Sequence, residues 1–205
     1  DNFTSDLVMY WTCDRLVSNN LRDHTGNGFS GKAESVNTSD GVINGALLFS
    51  EKGSKVVINK DFTPSDSGTI CFWMKVSNIE LDKNHRVISS NASQFEISIR
   101  EGYLTNELFA DSTTFLQDTT MLKTAHWYHI ACTWNSATKE NVIYFDGKLR
   151  VNGTYADDRP PETITITLGA SILHGIPFKG LLDEIRVYNR ILTLTQIQAL
   201  ADKAF

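Results

Sequence analysis

Residues 178–201 read FKGLLDEIRVYNRILTLTQIQALA, and two periods meet within them. From Gly180 to Tyr188 apolar and polar positions alternate, the period of a strand, which predicts Leu181, Ile185 and Val187 on one face together with Asp183. Beyond Arg190 the period lengthens, with Leu194, Ile197 and Leu200 at helical spacing. Thr193 stands three residues before Gln196, as a capping box requires. The stretch is therefore a strand followed by one short capped helix. An ionised Asp183 on a largely apolar face needs a partner.

Working outward, short apolar or alternating segments recur between turn signals along the whole chain, the pattern of an antiparallel sandwich or barrel. Strands are expected at about Leu7 to Trp11, Ala46 to Phe49, Lys55 to Ile58, Gly68 to Val76, Arg86 to Ser90, Phe95 to Arg100, Tyr103 to Leu108, Trp127 to Trp134, Asn141 to Phe145, Ile164 to Leu168 and Gly180 to Tyr188. Asp146-Gly147 inside VIYFDGKLRV predicts a tight hairpin, because both residues accept the positive φ of a primed turn. No repeat, linker or low-complexity tract divides the sequence, so residues 1–205 are read as one domain.

Composition narrows the function classes. The 205 residues are 41% hydrophobic, enough for an ordinary globular core. The 19 basic and 24 acidic residues leave a net charge of -5, which argues against nucleic acid and anionic membrane as partners. No apolar run approaches the ~20 residues of a membrane span, and the N-terminus lacks the shape of a signal peptide, so the chain reads as a mature protein or an excised domain. The sequons at Asn2, Asn37, Asn91 and Asn152 decide nothing about the source. Cys13, Cys71 and Cys132 each sit in an apolar stretch and are read as buried thiols, with a Cys71 to Cys132 bridge as the alternative.

Most chemical motifs fail on context. GNGFSG at 26–31 has dinucleotide-loop spacing, but no helix or βαβ pattern follows it, which leaves a glycine-rich turn or a metal loop. His126, His129 and Cys132 have ligand-like spacing, yet strand alternation turns His129 away from the other two. There is no GxSxG elbow, no paired Cys and His with local support, no zinc-protease motif and no ExDxxE strand. Trp11, Trp73, Trp127 and Trp134 lie within predicted strands and are read as core. Tyr103 and Tyr155 adjoin turns and are the aromatics expected to offer a platform for a sugar ring, with His174 in a loop as a further ligand-binding residue.

In order, Phe178, Gly180, Asp183, Glu184, Ile185, Val187, Tyr188, Asn189 and Arg190 resemble the closing signature of laminin-G-like, concanavalin A-like jelly-roll domains. LVMYWTCD resembles the opening strand of that family, RDHTGNGFSG its Asp-x-x-Gly-Asn loop and GVINGALLFS its Gly-x-x-Gly-x-Ala-Leu segment. TICFWMKV, WYHIACTWN and VIYFDGKL resemble its tryptophan strand, its Trp-x-His strand and its DG hairpin. One departure is Cys13, where many relatives have Phe.

The resemblance implies an all-β fold: a two-sheet antiparallel sandwich of the jelly-roll type with a short C-terminal helix. It further implies a structural calcium ion held by Asp23, Asn27 and Asp183, since calcium takes hard oxygen ligands; otherwise Asp183 caps a turn and Asp23 is solvated. The function it implies is non-catalytic carbohydrate binding by a lectin-like module of a secreted or cell-surface protein, with a glycan or glycoprotein as partner. A protein-recognition or adhesion module of laminin-G or pentraxin type is the alternative, and a glycoside hydrolase or lyase the third.

Overall fold

A computed structural model describes residues 3–91, 95–108, 115–154, 162–171 and 176–202. The strands are β1 (Leu7–Trp11), β2 (Asn20–Leu21), β3 (Gly31–Glu34), β4 (Asn37–Asp40), β5 (Gly45–Phe49), β6 (Lys55–Ile58), β7 (Ser67–Val76), β8 (Asn84–Ser90) and β9 (Ile97–Arg100). Then come β10 (Tyr103–Asn106), β11 (Leu116–Gln117), β12 (Trp127–Asn135), β13 (Glu140–Phe145), β14 (Lys148–Thr154), β15 (Ile166–Leu168), β16 (Ile176–Pro177), β17 (Gly180–Tyr188) and helix α1 (Leu194–Asp202). The first sheet runs β14-β13-β12-β7-β17-β5-β4, with β1 also on β17. The second runs β11-β10-β9-β8-β15-β6-β3-β2. Pairing is antiparallel except where the two-residue β16 joins β8.

The two sheets stack as a jelly-roll sandwich, because alternation gives each one apolar face. Phe72 and Met74 of β7, Ile130, Cys132 and Trp134 of β12, and Val56, Ile97 and Leu168 of the opposite sheet meet in one buried cluster. On the outside of the first sheet Cys71, Ala131 and Tyr188 form a second cluster, which α1 covers with Ile197 and Leu200. Leu194, at the first position of the helix, remains exposed. Thr193 and Gln196 form the capping box: the Gln196 amide donates to Thr193 Oγ1 (3.3 Å), and the Thr193 amide donates to Gln196 Oε1 (3.0 Å). The hairpin at Asp146-Gly147 is also present, with φ of 49° and 72°.

Alternation decides the cysteines. Cys71 pairs with Ala131, so the next residue, Cys132, faces the sandwich interior while Cys71 faces out. All three thiols are free and buried, and the Cys71 to Cys132 bridge is not formed. Trp11, Trp73 and Trp134 are buried, whereas Trp127 is only partly so, under the Lys75 ammonium (4.9 Å).

One expectation needs correction. Leu181, Asp183, Ile185 and Val187 do not share a face, because β17 carries a bulge between Asp183 and Arg186, with Glu184 at φ 52°. Leu182 and Ile185 both point inward, and Asp183, opposite Trp73, lies on the outer side. GNGFSG makes the expected glycine-rich turn, with Gly26 and Gly28 at φ 84° and 88°, and its last glycine begins β3. A Cβ on Gly31 would lie 2.6 Å from Val56, so the glycine permits a close strand pairing that no apolar pattern announces.

Candidate functional site

The hairpin of β9 and β10 gives the second sheet a polar outer face. Ile97, Ile99 and Leu104 point inward, which leaves Ser98, Arg100, Tyr103 and Thr105 on the other face. Glu101 and Gly102 make the turn in left-handed conformation (φ 53° and 86°), so Tyr103 follows it directly and is half-buried. A groove of about 320 Å³ is lined by Tyr103, Gln117, Asp118 and Thr119. Strand β11 brings Gln117 there by pairing with Thr105.

Asp118 also borders a smaller cavity of about 170 Å³ with Tyr128, Phe145, Lys148 and Arg150. Its carboxylate is buried and receives the Arg150 guanidinium at 3.4 Å. Arg150 in turn lies over the Phe145 ring (5.6 Å) and donates to Thr120. One aromatic face and a carboxamide on one side of Asp118, and a guanidinium on the other, thus border two neighbouring hollows that share this residue, a strip along the sheet. Tyr103 can stack on a sugar ring, and Gln117 and Thr119 can hydrogen-bond its hydroxyls, while Asp118 holds Arg150 in place.

Beside the strip runs a sheltered ionic network. Arg86 pairs with Glu96, and Arg100 with Glu107 (2.9 Å) while stacking on Phe115 (4.2 Å). The Glu107 amide donates to the Glu96 carbonyl (2.9 Å), which makes the two glutamates neighbours across strands. Burial raises the Glu107 carboxyl above its ordinary range, against the pull of Arg100 and Arg86. Sequence reasoning missed this network. The signal was present in the alternation of FEISIREGYLTNEL, where every second residue is polar on one face.

The residues expected to hold calcium are placed as follows. Asp23 is buried and organises its own loop: Oδ1 accepts from the Thr25 amide (3.0 Å) and the Tyr10 amide (3.3 Å), and Oδ2 accepts from the Phe29 amide (3.0 Å). The Thr25 hydroxyl reaches the same carboxylate, which these donors hold below its usual range against the effect of burial. Asn27 donates its side-chain amide to the Val8 carbonyl (2.9 Å). Asp183 lies beneath the turn between β4 and β5, where Oδ2 accepts from the amides of Val42 (2.8 Å) and Ile43 (3.0 Å). Its Oδ1 is buried without a partner, and burial pushes the carboxyl up to about 7.

No hydrogen bond joins the Asp183 carboxylate to the Asp23 loop among the described residues, nor do three or more His, Cys, Asp or Glu gather there as a metal group. As a test of fit to calcium, Asp183 has an oxygen to spare, whereas both Asp23 oxygens are met by protein hydrogens. Tyr155 and His174 lie outside the described residues. His129 faces away from Cys132, as alternation predicts, and packs on Trp73.

The family described as the concanavalin A-like lectin/glucanase superfamily matches residues 50–198. No curated protein sequence matches the chain significantly. Among solved structures, domain 4 of AbnA, a GH43 extracellular arabinanase from Geobacillus stearothermophilus in complex with arabinotriose, is 22% identical with a TM-score of 0.76. That match covers 96% of this chain and 98% of the domain. The binding domain of Paraclostridial Mosquitocidal Protein 1 is 19% identical (TM-score 0.77; 98% of this chain, 53% of that one). The binding domain of botulinum neurotoxin DC in complex with rat synaptotagmin II is 16% identical (TM-score 0.75; 100% and 53%). This chain therefore spans about half of each toxin binding domain. At these identities the likeness is one of fold.

Proposed function

The chain belongs to the concanavalin A-like lectin/glucanase superfamily, and we propose that it is a non-catalytic carbohydrate-binding module, residues 1–205 forming one jelly-roll unit of a secreted or cell-surface protein. The strip at Tyr103 carries this reading, with the ring set against Gln117, Asp118 and Thr119. The arabinotriose complex of the AbnA domain supports it. The ionic network supports the absence of catalysis: Glu96 and Glu107 are adjacent, yet each is held by an arginine rather than facing its fellow across a cleft.

Calcium belongs to the same proposal. Asp183 would hold the ion through its unpartnered Oδ1, and the loop of Asp23 and Asn27 would supply further oxygens by exchanging hydrogen bonds it now makes. The ion would fix these loops and perform no chemistry.

A glycan array that includes arabinotriose, run first with calcium and then with chelator, tests the proposal. Binding is expected, and Tyr103→Ala should weaken it about tenfold through the lost ring contact. Calcium should raise the melting temperature of the wild type and leave Asp183→Asn unchanged; equal response of the two removes the ion from the proposal. Absence of glycan binding would favour the protein-recognition reading, for which the exposed Leu81 and Met121 beside the Gly102 turn are the supporting observation.

A further inference from the structure

The segment after β1, strand β2 and the turn between β4 and β5 enclose a cavity of about 380 Å³. That volume lies within the range of small-molecule pockets, about 300–1,000 Å³. The walls are held by local chemistry. Asp14 Oδ1 accepts from the Gly45 amide (3.1 Å), and a Cβ on Gly45 would lie 2.5 Å from the Asp14 carbonyl, so only glycine lets these walls meet. Cys13 and Asn44 both sit in the left-handed region (φ 63° and 56°), as do Ser18 and Asn19 on the way to β2 (50° and 59°). Non-glycine residues held there gather where the surrounding structure over-determines the backbone, which includes ligand sites.

Charge sets this cavity apart. Arg86, Arg100, Arg150, Arg186 and Arg190 each reach a carboxylate. Arg15 and Arg22 are the described arginines that reach none, and both line this cavity. His24 stands on the same wall, with Nε2 3.5 Å from the Thr12 hydroxyl. Asp14, Asn20 and Asn44 add to the polar lining, and Val17 and Leu21 give it an apolar wall.

Two unmatched guanidiniums beside one carboxylate fit neither a neutral sugar nor a bare anion. A neutral sugar offers these exposed guanidiniums no charge partner, and a bare anion meets repulsion from Asp14. A sugar bearing a carboxylate matches both: the guanidinium forks take the carboxylate, and Asp14, Asn44 and Thr12 take the ring hydroxyls. We propose that this cavity is a second ligand site, separate from the Tyr103 strip, for a sugar acid. The proposal rests on the carbohydrate-binding reading for its ligand class and on the cavity alone for its place.

The test titrates the isotope-labelled whole chain with D-glucuronate, its methyl ester and inorganic sulfate, following the arginine Nε–H resonances. Glucuronate should shift Arg15 and Arg22. The methyl ester, which keeps the shape and loses the charge, should bind at least about tenfold more weakly. The exposed pair Arg15→Gln with Arg22→Gln should lose glucuronate to the same extent with an unchanged melting temperature, while Tyr103→Ala keeps it. Absence of glucuronate binding, equal affinity for acid and ester, an indifferent double variant, or sulfate bound as tightly as glucuronate each overturns the proposal. Loss of arabinotriose binding with glucuronate binding intact would instead count against the Tyr103 strip alone.

Discussion

His129 should make this protein acid-labile by a calculable amount. Its imidazole lies on the outer side of the first sheet, 1% exposed, with the ring edge-on to Trp73 (5.3 Å) and Nδ1 without a partner. Burial, aided by the Arg186 charge, lowers its pKa from 6.5 to about 3. Between those values the unfolded chain binds a proton that the folded chain refuses, so stability is full above about 6.5 and falls as the pH drops. The loss is about 1.4 kcal/mol per pH unit between the two values, which gives about 2 kcal/mol at pH 5 and about 4 kcal/mol at pH 3. His129→Phe keeps a ring against Trp73 and removes both the titration and the orphaned nitrogen. Urea unfolding of both proteins at pH 8 and pH 5 isolates the effect, because every other titrating group is common to the two. Relative to its own value at pH 8, the variant should gain about 2 kcal/mol over wild type at pH 5. Parallel behaviour of the two proteins, or a His129 resonance titrating near 6.5, would refute the reasoning; His129→Gln serves if the phenylalanine variant does not fold.

Two further substitutions probe the fold itself. Thr193→Ala removes the hydroxyl that accepts from the Gln196 amide and should cost about 1 kcal/mol in denaturant unfolding, with the loss centred on α1; an unchanged midpoint would mean that packing on Tyr188 alone holds the helix. Gly68→Ala places a Cβ 2.0 Å from the Trp134 ring, whose indole is already fixed by its hydrogen bond to the Ser65 carbonyl (2.9 Å). Overpacking of this kind should cost about 1–3 kcal/mol and perturb the near-ultraviolet dichroism of Trp134, and a silent substitution would show that the ring has room to move.

The strands legible in the sequence were those with an apolar face. Ser67–Val76, Trp127–Asn135 and Gly180–Tyr188 form the centre of the first sheet, and their alternation was plain. Asn37–Asp40 and Gly31–Glu34 escaped notice because they lie toward sheet edges, where backbone pairing rather than side-chain burial makes the strand. Tyr103 was legible as a residue next to a turn, but Gln117 and Asp118 reach its groove only through the pairing of β11 with β10, and Arg150 reaches Asp118 from β14. The same holds for Arg15 and Arg22: nothing in their neighbours marks them, and their distinction lies in lacking the carboxylates that the other described arginines have found.

The sequence alone determined the antiparallel all-β class, the capped helix and the DG hairpin, because each follows from local periodicity or from a local backbone requirement, and the order of its motifs carried the resemblance to the family. Tertiary structure decided which face Asp183 occupies. A single bulged residue at Glu184 reverses the alternation of β17, so that Asp183 turns outward under the Val42 and Ile43 amides while Ile185 and Val187 turn inward. Side-chain direction in a strand has period two, and one extra residue is enough to exchange the faces.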